Sequence, residues 1–313
     1  MSLNRRDFVK LCTGTVAGFG VAQMFHPAVR EALAGTLTGE RPPVIWLQGQ
    51  GCTGCSVSLL NNVNPSIADV LLKIISLEYH PTVMGGEGHD AYTHMLNIAK
   101  NFKGKFFLAI EGSIPLAKDG RYCVVAEEGH TEITMADLVK KLAPDAAAVL
   151  ALGTCAAYGG IPAAKGSVTE AMGTGAMLKQ AGIKTPVVNI PGCPPQPDWI
   201  VGTIGLGLQA LATNTLGLLV KQGLDANGRP KAFYKNVHMN CPHLSAFEAG
   251  HMVKTMSDKG GCRFSMGCKG PRSACDSFER KWNNGVNWCV NNATCIGCTS
   301  PTFPDGQSPF YVN

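Results

Sequence analysis

The stretch Ala147-Ala148-Val149-Leu150-Ala151-Leu152 is followed at once by Gly153-Thr154-Cys155, and this succession decides the fold. An uninterrupted apolar run that ends at a turn residue is typical of a strand buried on both faces of a parallel sheet. The glycine, threonine and cysteine then lie where the strand ends.

The same succession recurs between about residues 43 and 213. Short apolar runs alternate with segments of helical periodicity, which predicts an α/β fold with a parallel sheet covered on both faces. The predicted strands are Val44–Leu47, Ile74–Leu77, Phe106–Ile110, Ala147–Leu152 and Val187–Ile190. Helices are predicted at about 55–62, 89–101, 135–142, 168–181 and 196–212.

Cysteines follow three of these strands. Because loops at the carboxyl ends of parallel strands converge on one crevice, we expect their thiols to meet there. Four thiolates are the number that a [4Fe–4S] cluster takes, and glycines beside them let the main chain approach an inorganic core. The predicted ligands are Cys52, Cys55, Cys155 and Cys193.

After Val220 the alternation stops, and Gly, Asn, Lys and Cys dominate to Asn313. Such a segment buries little apolar surface, so we expect bound groups to hold it together. One set of ligand-type residues is His238, Cys241, Cys262 and Cys268; the other is Cys275, Cys289, Cys295 and Cys298. They predict two more clusters, one with three thiolates and an imidazole and one with four thiolates.

Alternatives remain open from the residues alone. Disulfides suit an exported chain but usually belong to small domains, and zinc sites are usually compact and local. His238 can be an ordinary surface residue, and Cys289 an unligated thiol. Cys123, in an apolar run, is interpreted as a plain buried thiol.

The N-terminus has the order of a twin-arginine export signal. Arg5-Arg6 precedes the apolar stretch Leu11–Phe25 and the small-x-small pattern Ala32-Leu33-Ala34, after which cleavage is expected. An amphipathic helix is the alternative. Trp199–Val220 lacks charge but is interrupted by polar residues, so we expect a buried helix rather than a membrane anchor. The net charge of +5 gives no case for nucleic acid as a partner.

Together these motifs resemble the small subunits of nickel–iron hydrogenases. The resemblance spans nearly the whole chain and is carried by the leader and by Cys52–Ser56, Glu111–Pro115, Gly153–Gly160, Pro191–Pro195, His238–Pro242 and Cys295–Cys298. It implies a signal peptide at 1–34, a flavodoxin-like domain at 35–215 with the proximal cluster, and a loop-rich iron–sulfur domain at 216–313 with the medial and distal clusters. We expect no C-terminal membrane anchor.

The resemblance also implies roles by position. Cys52, Cys55, Cys155 and Cys193 would bind the proximal cluster; Cys275, Cys295 and Cys298 the medial; and His238, Cys241, Cys262 and Cys268 the distal. Glu111 matches an acidic residue near the proximal cluster, or equally a hydrogen-bond anchor. The hydrogen-splitting centre would lie in a large subunit, with three [4Fe–4S] clusters here relaying electrons to a periplasmic multihaem cytochrome c of the c3 type.

One position departs from the standard pattern. Standard members have proline after Asn-Trp and a three-iron medial cluster, whereas this chain has Asn287-Trp288-Cys289. A fourth thiolate at this position can hold a fourth iron. Together with Ser56-Val57-Ser58, it makes the chain resemble the nickel–iron–selenium branch of the family. Two other function classes stay open: a related quinone-reductase subunit, which lacks the cysteine-rich part and the leader, and a freestanding ferredoxin-like carrier.

Overall fold

The computed structural model describes residues 41–63, 65–281 and 293–312. Its strands are β1 Pro43–Gln48, β2 Ser76–Tyr79, β3 Phe107–Glu111, β4 Val124–Glu128, β5 Thr131–Thr134, β6 Ala148–Leu152 and β7 Val187–Ile190. Five of them form a parallel sheet in the order β2-β1-β3-β6-β7, and β4 and β5 form a separate antiparallel hairpin. Renumbered within the sheet, the order is 2-1-3-4-5, the flavodoxin-like arrangement. The prediction of an α/β fold is confirmed.

The helices are α1 Gly54–Leu60, α2 Ile67–Asp69, α3 Gly88–Asn101, α4 Met135–Leu142, α5 Gly153–Tyr158, α6 Thr174–Gln180, α7 Pro197–Ala212, α8 Leu216–Gly223, α9 Leu244–Glu248 and α10 Ser277–Arg280. They cover both faces of the sheet, because successive side chains of a strand point to opposite sides. In β3, Leu108 packs with α3, α4 and α6, whereas Phe107 packs with α1 and α7. The core is therefore two apolar layers with the sheet between them.

Most predicted elements are present, with instructive shifts. β2 begins at Ser76 because Val70–Ile74 forms a π-helical turn that uses the start of the predicted strand. The helix predicted from residue 168 begins at Thr174, since Met172 first pairs with Ile114 in an isolated bridge. The hairpin was not predicted, and the buried helix expected over Trp199–Val220 is wrong at its end, because a second helix with no buried residues, α8, begins at Leu216.

The uncharged segment Trp199–Val220 divides into α7 and the start of α8. Close aromatic packing explains two glycines in α7: a Cβ at Gly202 would lie 2.7 Å from the ring of Phe233, and one at Gly207 would lie 3.0 Å from the ring of Phe107. Among the described residues, we find no helix with the length and apolar character needed to span a bilayer.

Three hydrogen bonds, two of them buried, join the loop-rich half, which follows α8, to the α/β part of the chain. Tyr234 Oη donates to the carbonyl of Pro191 at 2.8 Å. Trp199 Nε1 donates to Asp276 Oδ1 at 2.6 Å, and Thr154 Oγ1 donates to the carbonyl of Cys298 at 2.5 Å. The cysteine-rich segments are thereby fastened to the carboxyl edge of the sheet.

Candidate metal centres

The carboxyl edge of the sheet carries the four cysteines predicted there. Cys52 lies between β1 and α1, Cys55 in the first turn of α1, and Cys193 after β7. Cys155 lies in the first turn of α5, because the helix begins directly at the end of β6. The structure brings their loops together: the main-chain N–H of Thr154 donates to the carbonyl of Gly192 at 3.0 Å, and a Cβ at Gly153 would lie 2.5 Å from Cys55 Sγ. The charges of Cys52, Cys155 and Cys193 accordingly raise the pKa of Cys55.

Burial dominates the electrostatics of this site. It raises the pKa of Cys55 well above its usual value, and the charge of Glu111 raises it further. Burial likewise raises the pKa of Cys155 to about 11 and raises that of Cys193. These thiols are therefore poorly suited to act as free nucleophiles at neutral pH. A cationic metal core supplies the counter-charge that deprotonation requires, so the donor set fits such a group.

Two glycines leave the space beside the thiols open. A Cβ at Gly153, where φ is +82°, would lie 2.5 Å from Cys55 Sγ. A Cβ at Gly160, where φ is +56°, would lie 2.9 Å from Cys155 Sγ. Any larger residue is thus excluded both by the backbone conformation and by contact with a thiol.

Glu111, at the end of β3, is buried and serves only as an acceptor. Its Oε1 accepts from the main-chain N–H groups of Cys55 at 2.9 Å and Ser56 at 3.1 Å. Its Oε2 accepts from Trp46 Nε1 at 3.0 Å, from Gln48 Nε2 at 3.2 Å, and from Ser56 Oγ. Helix termini have N–H groups without partners inside the helix, and Glu111 satisfies two of them in α1. The carboxylate therefore fixes the turn that carries Cys55.

His80 extends this network and has a defined tautomer. Its Nδ1 accepts from the main-chain N–H of Thr82 at 3.1 Å, and its Nε2 lies 3.1 Å from Ser56 Oγ. Burial lowers the pKa of His80, which favours the neutral ring. Since Nδ1 accepts, the proton of the neutral ring is on Nε2, which donates to Ser56 Oγ while that hydroxyl donates to Glu111.

The second predicted set lines a cavity in the loop-rich half. His238, Cys241, Cys262 and Cys268 all line it, and so do His243, Arg263 and Cys295. The His238 ring packs edge-on against Phe247, with ring centroids 4.5 Å apart. Burial raises the pKa of Cys241, and the charges of Cys268 and Cys262 raise it further. Three thiols and an imidazole therefore share one partly enclosed space.

The third predicted set is described in part. Burial raises the pKa of Cys275 to about 12, with a smaller contribution from Cys295, while hydrogen bonds from Ser277 lower it. Cys295 also lines the cavity of the second set, so it lies between the two groups. Cys298 is held near the sheet through its carbonyl. Cys289 lies outside the described residues, as do Cys12 and the twin-arginine segment.

Ten of the described cysteines have free thiols. They are Cys52, Cys55, Cys123, Cys155, Cys193, Cys241, Cys262, Cys268, Cys275 and Cys295. The disulfide interpretation therefore finds no pair among them.

Cys123 packs at the edge of the core, and burial raises its pKa. Within the described ranges, no three His, Cys, Asp or Glu side chains are close enough to hold one metal ion together.

Sequence reasoning missed several polar residues at these sites. Trp46, Gln48 and His80 reach Glu111 directly or through Ser56, but they come from three separate elements, and no spacing in the chain connects them. His243 was within reach of prediction, because it lies two residues after Cys241 in the predicted ligand loop.

The chain matches two protein families in succession. Residues 52–206 match the family described as NADH ubiquinone oxidoreductase, 20 Kd subunit. Residues 233–311 match the family described as the C-terminal part of the NiFe/NiFeSe hydrogenase small subunit. The first match is the part shared with the quinone-reductase alternative, and the second covers the cysteine-rich half, which that alternative lacks.

Curated relatives and solved structures agree with the second match. The periplasmic [NiFeSe] hydrogenase small subunit of Desulfomicrobium baculatum is 51% identical, over 100% of this chain and 99% of its own length. The periplasmic [NiFe] hydrogenase small subunit 1 of Nitratidesulfovibrio vulgaris is 38% identical, over 99% of this chain and 93% of its own. A chain of the recombinant [NiFeSe] hydrogenase from Desulfovibrio vulgaris Hildenborough superposes with a TM-score of 0.86 at 63% identity, covering 89% of this chain and 100% of that one. The resemblance is confirmed, and the chain belongs to the family of nickel–iron and nickel–iron–selenium hydrogenase small subunits.

Proposed function

We propose that this chain is the electron-transfer subunit of a periplasmic uptake-type hydrogenase and that it holds three [4Fe–4S] clusters. The observation that carries the proposal is the gathering of four thiols, from three strand-end loops, at the flavodoxin-like switch edge of the sheet. That arrangement has the donor number and the glycine-lined space of a cluster site.

The ligand sets follow from this arrangement and from the family. Cys52, Cys55, Cys155 and Cys193 hold the proximal cluster, and His238, Cys241, Cys262 and Cys268 hold the distal one. Cys275, Cys289, Cys295 and Cys298 hold the medial cluster. Bound clusters supply one-electron carriers in series, by which electrons from H2 ⇌ 2H⁺ + 2e⁻ reach a multihaem cytochrome c.

The residues of this chain contribute ligands, hydrogen bonds and burial. Glu111 fixes the turn that carries Cys55, and Thr154 links the loop of Cys155 to the segment of Cys298. Replacing one thiolate by the neutral imidazole of His238 lowers the negative charge of the distal site and raises its potential. Hydrogen bonds within this chain join the proximal and medial ligand segments and so help to set the relative positions of the two sites.

The partner and the compartment belong to the same proposal. Relatives carry the word periplasmic in their names, and this chain has the order of a twin-arginine signal with expected cleavage after Ala34. A large subunit with the nickel centre completes the enzyme as a heterodimer. The domain limits 1–34, 35–215 and 216–313 stay predictions.

Co-purification with metal analysis tests the proposal. The complex is expected to contain a large subunit with nickel, together with iron and sulfide for three four-iron clusters. A soluble monomer with clusters but no nickel-containing partner supports the freestanding carrier instead. A chain without iron and sulfide refutes both.

The distal assignment has its own test. His238→Ala is expected to impair electron transfer to the cytochrome much more than hydrogen–deuterium exchange, which occurs at the large subunit. His251→Ala is the matched control, because His251 is an exposed histidine of the same segment and does not line the cavity. Equal loss of both activities in His238→Ala contradicts the assignment.

A further inference from the structure

The cavity of the distal set contains a second histidine whose role the ligand assignment leaves open. His243 lines this cavity beside His238 and Cys241. Its Nε2 is buried and has no hydrogen-bond partner among the described residues. Its main-chain N–H donates to Cys241 Sγ at 3.4 Å, which places the residue directly against a proposed ligand.

A buried ring nitrogen without a partner is costly, so its environment requires explanation. A neutral imidazole has one N–H donor and one acceptor, and the proton can be on either ring nitrogen. The hydrogen-bond partners around the ring decide between the two arrangements. What remains to be found is a partner for Nε2 within the cavity.

The chemistry of the cavity decides which kind of partner fits. The other polar side chains of the lining are those of the cysteines, which offer sulfur acceptors, and the cationic guanidinium of Arg263. The four ligands that a cluster site needs are already supplied by His238 and three cysteines. Sulfides and thiolates accept hydrogen bonds, so a protonated Nε2 finds several partners among the sulfurs of the lining, whereas an unprotonated Nε2 would need a donor such as the guanidinium of Arg263. Hydrogen bonds to sulfur stabilise the reduced, more negative cluster and raise its potential.

Resting on the proposed function, we infer that His243 donates an Nε2–H hydrogen bond to a sulfur of the distal cluster and so raises the potential of that cluster. His243 is thus a second histidine of the distal site, distinct in role from the ligand His238. It tunes the last carrier in the chain without binding iron.

The test is a redox titration of the distal cluster in the purified heterodimer, followed by EPR. His243→Leu removes the donor, and the cluster is expected to become about tenfold easier to oxidise, a potential lower by about 59 mV for one electron. His243→Gln keeps an N–H donor and is expected to restore part of the potential. Hydrogen–deuterium exchange at the large subunit is expected to stay unchanged in both variants.

Three results distinguish the outcomes. An intact distal cluster with an unchanged potential in His243→Leu overturns this inference and leaves the proposed function standing. Loss of the distal cluster in both His243 variants, with retention in His238→Ala, overturns it by making His243 the iron ligand. Should His243→Leu fail to assemble, pulsed EPR compares the exchangeable protons at the distal cluster in the wild-type and His243→Gln heterodimers. Identical proton couplings in the two refute the inference, because only the main-chain N–H groups are common to both. His251→Leu is the control for surface substitution.

Discussion

The network around Glu111 gives the sharpest prediction for the proximal site. Glu111→Gln preserves the shape of the side chain but replaces one acceptor oxygen by an NH2 group. If the NH2 group takes the position of Oε1, it faces the main-chain N–H groups of Cys55 and Ser56. If the NH2 group takes the position of Oε2, it faces Trp46 Nε1 and Gln48 Nε2. The first orientation leaves two donors without an acceptor. The second affects three, since Ser56 Oγ also donates to Oε2; Gln48 Nε2 keeps Ser56 Oγ as an acceptor, so two donors are left in that case as well.

The size of the effect follows from that count. A buried donor without a partner costs about 1–3 kcal/mol, so two of them cost about 2–6 kcal/mol. At about 2–4 °C per kcal/mol, the lower limit corresponds to a fall of about 4 °C in the thermal midpoint of a domain of this size. The amide hydrogens of the turn that carries Cys55 are expected to exchange faster in this variant than in the wild type.

Scanning calorimetry of the heterodimer at one fixed scan rate measures the midpoint, and amide hydrogen exchange of the peptide spanning α1 measures the turn. Glu127→Gln is the matched control, because Glu127 is an exposed glutamate of β4. A midpoint and an exchange rate equal to those of the wild type would refute the idea that Glu111 holds α1 in place.

Three further predictions concern other residues. Cys289→Pro is expected to convert the medial centre to a three-iron cluster, and oxidised samples lacking a new three-iron EPR signal would count against Cys289 as a ligand. Thr154→Val removes the hydroxyl that accepts from the Gly192 N–H and donates to the Cys298 carbonyl. The free energy of unfolding in urea is expected to fall by about 1–3 kcal/mol for each hydrogen bond lost, and Thr154→Ser is expected to retain most of the stability. Burial lowers the pKa of His80 from 6.5. As the pH falls below about 6.5, the unfolded chain therefore takes up a proton that the folded chain does not, and the stability of the folded chain falls. His80→Gln is expected to flatten this part of the profile of stability against pH.

The sequence predicted the sheet because apolar runs and cysteines occur in a repeated order. Val187–Ile190 was predicted with its observed limits, and the convergence of three cysteine-bearing loops follows from parallel topology alone. The Glu111 network could not be predicted, because its donors come from elements whose approach depends on side-chain packing. The β4–β5 hairpin was missed, since its apolar run at Val124–Ala126 is short and most residues of its strands are exposed.

The contacts between the two halves of the chain bear on how the cluster sites form. Three of the hydrogen bonds that join them involve a residue close in sequence to a proposed ligand: Thr154 precedes Cys155, Asp276 follows Cys275, and Pro191 lies two residues before Cys193. The loop-rich half has little regular structure of its own, so its ligand segments depend on these attachments and on what binds them. Cluster binding and the docking of the two halves therefore stabilise the same arrangement, because each fixes the segments that the other requires.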